Sequence, residues 1–370
     1  MTNVVSPTTA LLNGVPAVNI PENLRVALSN GHRMSAILRE VIALRRSTGK
    51  LAPDEYFYYR LWNERLTFSQ KRAFVGKQAQ HRMHIACNDR HWYQTAADKI
   101  LFHTIMAGAR LPVPQVIAIT QAGRILSGAA MLDRPAAVAA FLRDPALYPL
   151  FAKPAAGKYS LNVISADSYD PGTDSLSLVG GDQRSVRSVA EALAEGAGYV
   201  LQPRLRPDPE LETAFGPRLW SVRLLVFVRP SGPRIHRAVA KIATGTNPAD
   251  NYWRPGNMLG AIELSTGRIA GVVRGTGANM ARDEPHPDTG QAVIDFSIPH
   301  WSRLCDLARA AASVFPGIRT QSWDVALTDH GPVFLEVNFG GDLNLAQLAE
   351  GRGVFDDEYR AHLRECGFRC

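Results

Sequence analysis

Three pairs of apolar segments, each joined by a short turn, constrain the fold of the C-terminal half of the chain. The paired segments are residues 220–228 and 236–243, 258–264 and 269–273, and 325–327 and 333–337. The connections are rich in Gly, Pro, Ser and Asp, as in Pro-Ser-Gly-Pro at 230–233, and these residues favour β-turns. Apolar segments joined in this way predict antiparallel hairpins. We therefore predict an antiparallel sheet, against which the amphipathic segment 301–315 packs as a helix.

The rest of the chain divides into a helical part and a mixed part. Residues 24–46 carry apolar side chains at helical spacing and predict one helix that ends at 47–49, Ser-Thr-Gly. From residue 98 onward, strands are predicted at 115–120, 150–153, 176–179 and 199–202, and a helix at 188–197. The sequence thus predicts an α+β protein with a mainly helical N-terminal region (1–97), a smaller lobe (98–206) and a larger lobe (207–370).

The composition is unlike that of several classes of protein. Hydrophobic residues make up 46% and charged residues 20% of the 370 residues, and no apolar run reaches the roughly 20 residues that a membrane span needs. The first residues do not resemble a signal peptide, so we expect a cytoplasmic protein. The formal charge of +7 comes from dispersed basic residues, which is not typical of a nucleic-acid-binding protein. An anionic small-molecule ligand explains this charge equally well.

The cysteines do not predict a disulfide framework. Cys87, Cys305, Cys366 and Cys370 are widely spaced, and we expect free thiols. Histidines at 81, 84 and 91 could form a zinc site with Cys87, but we interpret them as incidental histidines on a solvated basic helix.

A predicted strand at 150–153 ends in Lys153 and runs into a loop of small residues. The segment 151–160 reads Phe-Ala-Lys-Pro-Ala-Ala-Gly-Lys-Tyr-Ser, and the backbone N–H groups of such a loop can surround phosphate oxygens. It is not a Walker A loop, because that motif would need glycine at Ala152. A plain surface hairpin remains an equal alternative for this segment alone.

The last predicted hairpin carries a set of oxygen donors. Glu336 and Asn338 are two residues apart and so face the same side of their strand. Asp324, on the neighbouring strand, can reach that side. Two carboxylates and an amide are ligands that suit Mg²⁺, whereas burying them in an apolar hairpin without a cation would be costly. We therefore predict a magnesium site here.

These elements, in this order, resemble the ATP-grasp superfamily. Within it the chain is most similar to the sugar-transfer-associated ATP-grasp family, because it also carries that family's lead-in at 98–103 (Asp-Lys-Ile-Leu-Phe-His), its break at 111–114 (Leu-Pro-Val-Pro) and its ending at 334–338 (Phe-Leu-Glu-Val-Asn). The resemblance covers residues 50–365 and implies an ATP-grasp fold, in which two α+β lobes clasp ATP.

The resemblance also implies roles for individual residues. Those implied to contact ATP are Lys99 and Lys153 at the phosphates, Gly157, Lys158 and Ser160 in the phosphate loop, Gln202 at the adenine and Glu210 at the ribose. The implied magnesium ligands are Asp324, Glu336 and Asn338. Lys241, as a further phosphate contact, and Arg223, which would steady a carboxylate or oxyanion, are the candidate catalytic residues. A structural salt bridge is an equal alternative for Arg223.

The activity implied by the resemblance is an ATP- and Mg²⁺-dependent ligation. A substrate carboxylate would attack the γ-phosphate to give an acyl phosphate, and an amine would then displace phosphate to form an amide. The alternatives are a kinase that phosphorylates a hydroxyl or a sugar, and a nucleotide-binding accessory protein of polysaccharide biosynthesis. The expected partners are a small-molecule carboxylate and an amine, with a homodimer left open. Asn251, Arg254 and Asn257 are weaker candidates for the acceptor site.

Overall fold

The structure is a computed structural model that describes residues 18–63, 66–156, 162–196, 198–247 and 249–369. The helices are α1 (Ile20–Ser29), α2 (Met34–Arg46), α3 (Pro53–Tyr58), α4 (Phe68–Lys71), α5 (Lys77–Cys87), α6 (Tyr93–Ala97), α7 (Lys99–Gly108), α8 (Pro135–Leu142), α9 (Val186–Ala194), α10 (Pro209–Phe215), α11 (Trp301–Val314), α12 (Leu343–Glu350) and α13 (Asp357–Glu365). None of the helices within the described ranges combines the length and apolar character of a membrane span.

The strands are β1 (Ala118–Ile119), β2 (Ala130–Met131), β3 (Leu150–Pro154), β4 (Ile164–Asp170), β5 (Ser175–Leu178), β6 (Gln183–Ser185), β7 (Tyr199–Pro203), β8 (Ser221–Arg229), β9 (Gly232–Ile242), β10 (Met258–Ile262), β11 (Ile269–Arg274), β12 (Ala281–Arg282), β13 (Thr320–Thr328) and β14 (Gly331–Asn338). They form two sheets. The first has the order β2-β1-β7-β3-β4-β5-β6 and the second β12-β11-β10-β9-β8-β13-β14. The predicted α+β class and the helical N-terminal region are confirmed.

The predicted helix over 24–46 is wrong as a single element. The chain leaves α1 after Ser29 and enters α2 at Met34. Gly31 between them has a φ of +86°, a left-handed conformation that glycine adopts without steric cost and that a helix does not contain. The apolar spacing continues across this break, because both helices bury one face.

The first sheet is covered on one side by α8 and α9. Buried side chains of these helices, such as Val138 and Val189, pack on strand residues such as Ala152 and Leu201 in one apolar core. Except for the parallel pair β1 and β2, neighbouring strands in this sheet are antiparallel. The opposite face of β3 and β7 is left for the candidate site described below.

The second sheet is antiparallel throughout and separates two cores. Val222 and Leu224 of β8 pack with α11 in one core. Leu225 and Phe227 belong to the other core, which contains residues of the N-terminal helices and of the C-terminal helices α12 and α13. The alternation follows from the two-residue period of a strand. The N-terminal region therefore packs directly on the larger sheet.

Candidate active site

A β-bulge between β13 and β14 brings two carboxylates together. Val325 pairs with Phe334, but Asp324 pairs with Glu336, so Leu335 is an extra residue in β14. Without the bulge, Asp324 would face Leu335. Residues paired directly across a sheet project from the same face, and bulges commonly redirect a side chain beside an active site. The predicted proximity of Asp324, Glu336 and Asn338 depends on this irregularity.

Two cations from the neighbouring strands hold Asp324. Arg223 on β8 donates from Nε and Nη2 to the two Asp324 oxygens at 2.6 Å each, and the Lys241 Nζ on β9 donates to Oδ2 at 3.1 Å. Lys241 also lies 3.2 Å from Asp250. Removing one partner of a buried, bidentate ion pair of this kind strongly destabilises a protein, because the other charge is left buried without its partner.

These contacts set the ionisation of the group. Burial would raise the pKa of Asp324, but the charges of Arg223 and Lys241 outweigh it and hold the pKa below its usual value. Burial would likewise lower the pKa of Lys241, yet Asp250 and Asp324 raise it. The three groups therefore stay charged at neutral pH, and the salt-bridge alternative for Arg223 is the arrangement seen in the structure.

The donor set fits a divalent cation such as Mg²⁺. Glu336 Oε1 accepts a hydrogen bond from Asn338 Nδ2 at 3.0 Å, which places the amide beside the carboxylate pair. Asp324 Oδ1 retains a lone pair beyond its bond to Arg223, whereas Oδ2 accepts from both Arg223 and Lys241. Two facing carboxylates repel each other, and a cation bound between them would remove that repulsion.

The smaller lobe contributes two lysines on the other side of a cleft. Lys153, at the end of β3, donates to the carbonyl of Leu335, the bulge residue, at 3.4 Å. The Lys99 backbone N–H donates to Ala155 O at 3.0 Å, so the start of α7 lies beside β3. Burial, together with the like charge of Lys99, lowers the pKa of Lys153 to about 8. A phosphate anion bound there would reverse this shift.

The cleft between the two sheets is lined by three of the seven residues expected to contact ATP, namely Lys99, Lys153 and Gln202. It has a volume of about 400 Å³ and is lined by Lys99, Lys153, Gln202, Lys241, Asp324 and Glu336, among others. This volume lies within the range of ligand pockets. Gln202 pairs with Phe151 across β7 and β3, and both side chains line the cleft.

Not every expected residue lies in this cleft. Glu210 is exposed in the first turn of α10 and is not among the residues that line the cleft. Gly157, Lys158 and Ser160 lie outside the described residues. Asp167 on β4 and Asp250 do line the cleft, and the sequence analysis did not select them as ligands. Asp250 is the first residue of the polar stretch 250–257 that contains the acceptor candidates, and this position was the available signal.

A second, smaller cavity of about 160 Å³ adjoins the carboxylates. Its lining includes Arg223, Asn251, Trp253, Asn338 and Asp342, and it shares Lys241, Asp324 and Glu336 with the larger cleft. Of the three acceptor candidates, Asn251 lines this cavity. Asn257 instead supports the loop, since it donates to the Ala249 and Asn251 carbonyls at 3.1 and 2.8 Å and accepts from Thr244 N at 2.9 Å.

Asp342 is a site residue that the sequence analysis missed. It forms an ion pair with Lys77 of α5 and lies 4.0 Å from Arg223 Nη1. The Gly-Gly pair that precedes it was the available signal. Gly341 lies so close to β13 that an added Cβ would be 2.1 Å from the Cβ of Ser322, and only glycine permits that approach.

The chain matches one family of known proteins. Residues 173–361 match the family described as "Sugar-transfer associated ATP-grasp". No curated protein matches the chain.

Several solved structures are similar in fold to the chain. ATP-grasp ligase PsnB complexed with minimal precursor has 14% identity and a TM-score of 0.41 over 75% of this chain and 64% of that one. Biotin carboxylase from Campylobacter jejuni has 11% identity and a TM-score of 0.44 over 77% and 49%. The N5-carboxyaminoimidazole ribonucleotide synthetase purK has 13% identity and a TM-score of 0.37 over 67% and 46%. The chain thus spans 46% to 64% of the length of these structures.

Proposed function

Because the chain belongs to the sugar-transfer-associated ATP-grasp family, with the ATP-grasp fold that the sequence predicted, we propose that it binds ATP and Mg²⁺ and ligates a carboxylate to an amine. Adenine and ribose would lie beside Gln202 in the larger cleft, with the phosphates between the two lysines of the smaller lobe and the carboxylates of the larger. The acid and the amine would enter through the smaller cavity.

One observation carries this proposal: the two cavities meet at Lys241, Asp324 and Glu336. A nucleotide in the larger cleft and an acceptor in the smaller cavity would therefore approach each other at these three residues. Phosphoryl transfer needs this arrangement, because the attacking oxygen must lie close to the terminal phosphate. The smaller cavity also offers both signs of charge, from Arg223 and from Asp342, which suits an anionic acid and a cationic amine.

The cationic and the anionic side chains of the site would have different roles. Lys153 and Lys99 would bind the phosphates, and Lys241 would stabilise the negative charge that develops around the γ-phosphate during its transfer. Asp324, Glu336 and Asn338 would hold Mg²⁺, which would offset part of the charge of the triphosphate and help to orient its terminal phosphate. Arg223 keeps Asp324 in place, and its Nη1 lies on the side of the smaller cavity, where it can bind the substrate carboxylate.

A measurement of products tests the activity. The protein is incubated with γ-labelled ATP, Mg²⁺, and pools of carboxylic acids and amines, and the fate of the label is followed. We expect free phosphate only when an acid and an amine are both present, and an amide product of matching mass. Label that remains on a hydroxyl or sugar would establish the kinase instead, and no turnover with any pool would favour the accessory protein.

Two variants test whether the activity depends on the proposed site. Glu336→Gln keeps the shape of the side chain but removes a metal-binding charge, so it should be inactive. Glu191→Gln is the matched control, because Glu191 lies on the exposed face of α9 in a surface pair with Arg187, and such pairs contribute little. Equal activity in both variants would contradict the proposed site.

A further inference from the structure

Cys87 meets two side chains that lie far from it in the sequence, His362 and Cys366, and all three can bind zinc. Cys87 is the last residue of α5, and His362 and Cys366 lie four residues apart at the end of α13. Their ligand atoms all lie within 4.8 Å of one another. Residues at positions i and i+4 share one face of a helix, so α13 presents both groups to the end of α5. The histidines near Cys87 in sequence are not in this group: His81 and His91 are exposed, and His84 is buried but lies outside the group.

The spacing of the three groups agrees with tetrahedral zinc coordination. Bonds of about 2.3 Å to sulfur and about 2.0 Å to nitrogen place a sulfur and a nitrogen ligand about 3.5 Å apart in a tetrahedral site, and two sulfurs about 3.8 Å apart. The Cys366 Sγ and the His362 Nε2 are 3.8 Å apart. A small closure of the three side chains would therefore bring all of them to bonding distance.

The surroundings favour a bound cation and fix the imidazole. His362 is fully buried and stacks on Phe227, with ring centres 4.3 Å apart and planes at 8°. The Thr320 hydroxyl lies 2.9 Å from Nε2 and would turn aside when that nitrogen binds a metal. Two thiolates, a neutral imidazole and Zn²⁺ sum to zero charge, which makes their burial affordable. Cys366 is partly exposed, so a water can complete the coordination.

We propose that Cys87, His362 and Cys366 bind a Zn²⁺ ion that joins the N-terminal helical region to the C-terminal helix. The link has a direct route to the candidate active site. Asn88, which follows Cys87, accepts from Thr320 N at 2.8 Å and donates to the Phe339 carbonyl. Phe339 is the neighbour of Asn338 in the chain, so the zinc would stiffen the end of the strand that carries the oxygen donors.

Elemental analysis of the full-length protein, purified without chelators, tests this proposal. We expect about one zinc per chain in the wild type, and loss of that zinc in Cys87→Ser and in Cys366→Ser. Cys305→Ser is the matched control, since Cys305 is a buried cysteine on α11 in another core, and it should keep its zinc. Retention of zinc by both serine variants would overturn the assignment.

A second measurement uses only the wild type, so it does not depend on the folding of variants. Co²⁺ is added to reduced, metal-free protein, and the absorption spectrum is recorded. Thiolate-to-cobalt charge transfer and the intense visible bands of tetrahedral cobalt are expected at one equivalent, with Cys87 and Cys366 protected from alkylation. A spectrum of octahedral cobalt without charge transfer, or a Cys87–Cys366 disulfide in protein kept under reducing conditions, would refute the site.

Discussion

The lowered pKa of Lys153 makes the affinity for nucleotide depend on pH in a predictable direction. In the free protein, burial and the like charge of Lys99 lower this pKa to about 8. If Lys153 binds phosphate, only its ammonium form contributes, and a bound triphosphate raises its pKa. The affinity is then constant below a pH of about 8 and falls as the pH rises above it, because each binding event must take up a proton.

The magnitude follows from the fraction of Lys153 that is charged. With a pKa of about 8, roughly nine tenths of the side chain is protonated at pH 7 and roughly one tenth at pH 9. The dissociation constant for a nonhydrolysable ATP analogue with Mg²⁺ should therefore rise about tenfold over this interval, which corresponds to about 1.4 kcal/mol. The terminal phosphate titrates near pH 6, so it changes little in this range.

Calorimetric titration in buffers of different ionisation enthalpy measures both effects. Near pH 9 we expect the uptake of almost one proton for each nucleotide bound, and near pH 7 almost none. In Lys153→Arg the guanidinium stays charged throughout, so the affinity should lose its dependence on pH. The reasoning is refuted if wild-type affinity is constant up to pH 9.5, or if the arginine variant shows the same slope.

Three further predictions probe the site and the fold. Glu336→Gln should abolish Mg²⁺-dependent release of ADP while its melting temperature stays within a few degrees of wild type; near-normal turnover would exclude the metal role. Asp324→Asn removes the carboxylate that Arg223 and Lys241 share, which leaves Arg223 with only the more distant Asp342 and Lys241 with Asp250, and should lower the free energy of unfolding by about 3–5 kcal/mol in urea; a loss below about 1 kcal/mol would contradict this ion cluster. Gly353→Ala places a Cβ 2.0 Å from the Ala73 carbonyl carbon and should cost about 1–3 kcal/mol in urea, whereas Gly108→Ala, with open space around it, should not destabilise; equal stabilities would argue against the close packing at Gly353.

The local pattern of the sequence predicted the elements that carry the site. Alternating apolar residues and turn signals identified the hairpins of the second sheet, because each hairpin is a short-range structure whose register is set by its turn. Lys153 at the end of a strand and Glu336 two residues before Asn338 were recognisable for the same reason. Their roles remain predictions until binding is measured.

Long-range features of the site could not be read from the sequence. The bulge that sets Asp324 opposite Glu336 depends on one extra residue, Leu335, in a strand whose apolar pattern looks regular. The partners of Arg223 and the approach of Lys77 to Asp342 join residues more than 100 positions apart. No local spacing encodes such contacts, because they arise only when separate elements pack together.

The N-terminal helical region packs on the face of the second sheet that carries Asp324, and this position suggests a role in supporting the candidate site. On β13, Thr320, Ser322 and Asp324 are two residues apart and so project from one face, the face that the N-terminal helices cover. Thr320 meets the Cys87 cluster at one end of this row, and Asp324 meets the cations of the candidate active site at the other. Four residues of strand span about 13 Å. Lys77 and Gln80 of α5 bridge that distance: they hold Asp342 and the carbonyl of Gly340, the latter at 3.0 Å. The N-terminal region therefore fixes the segment that follows β14, and loss of the proposed zinc should loosen that segment before it changes the cleft.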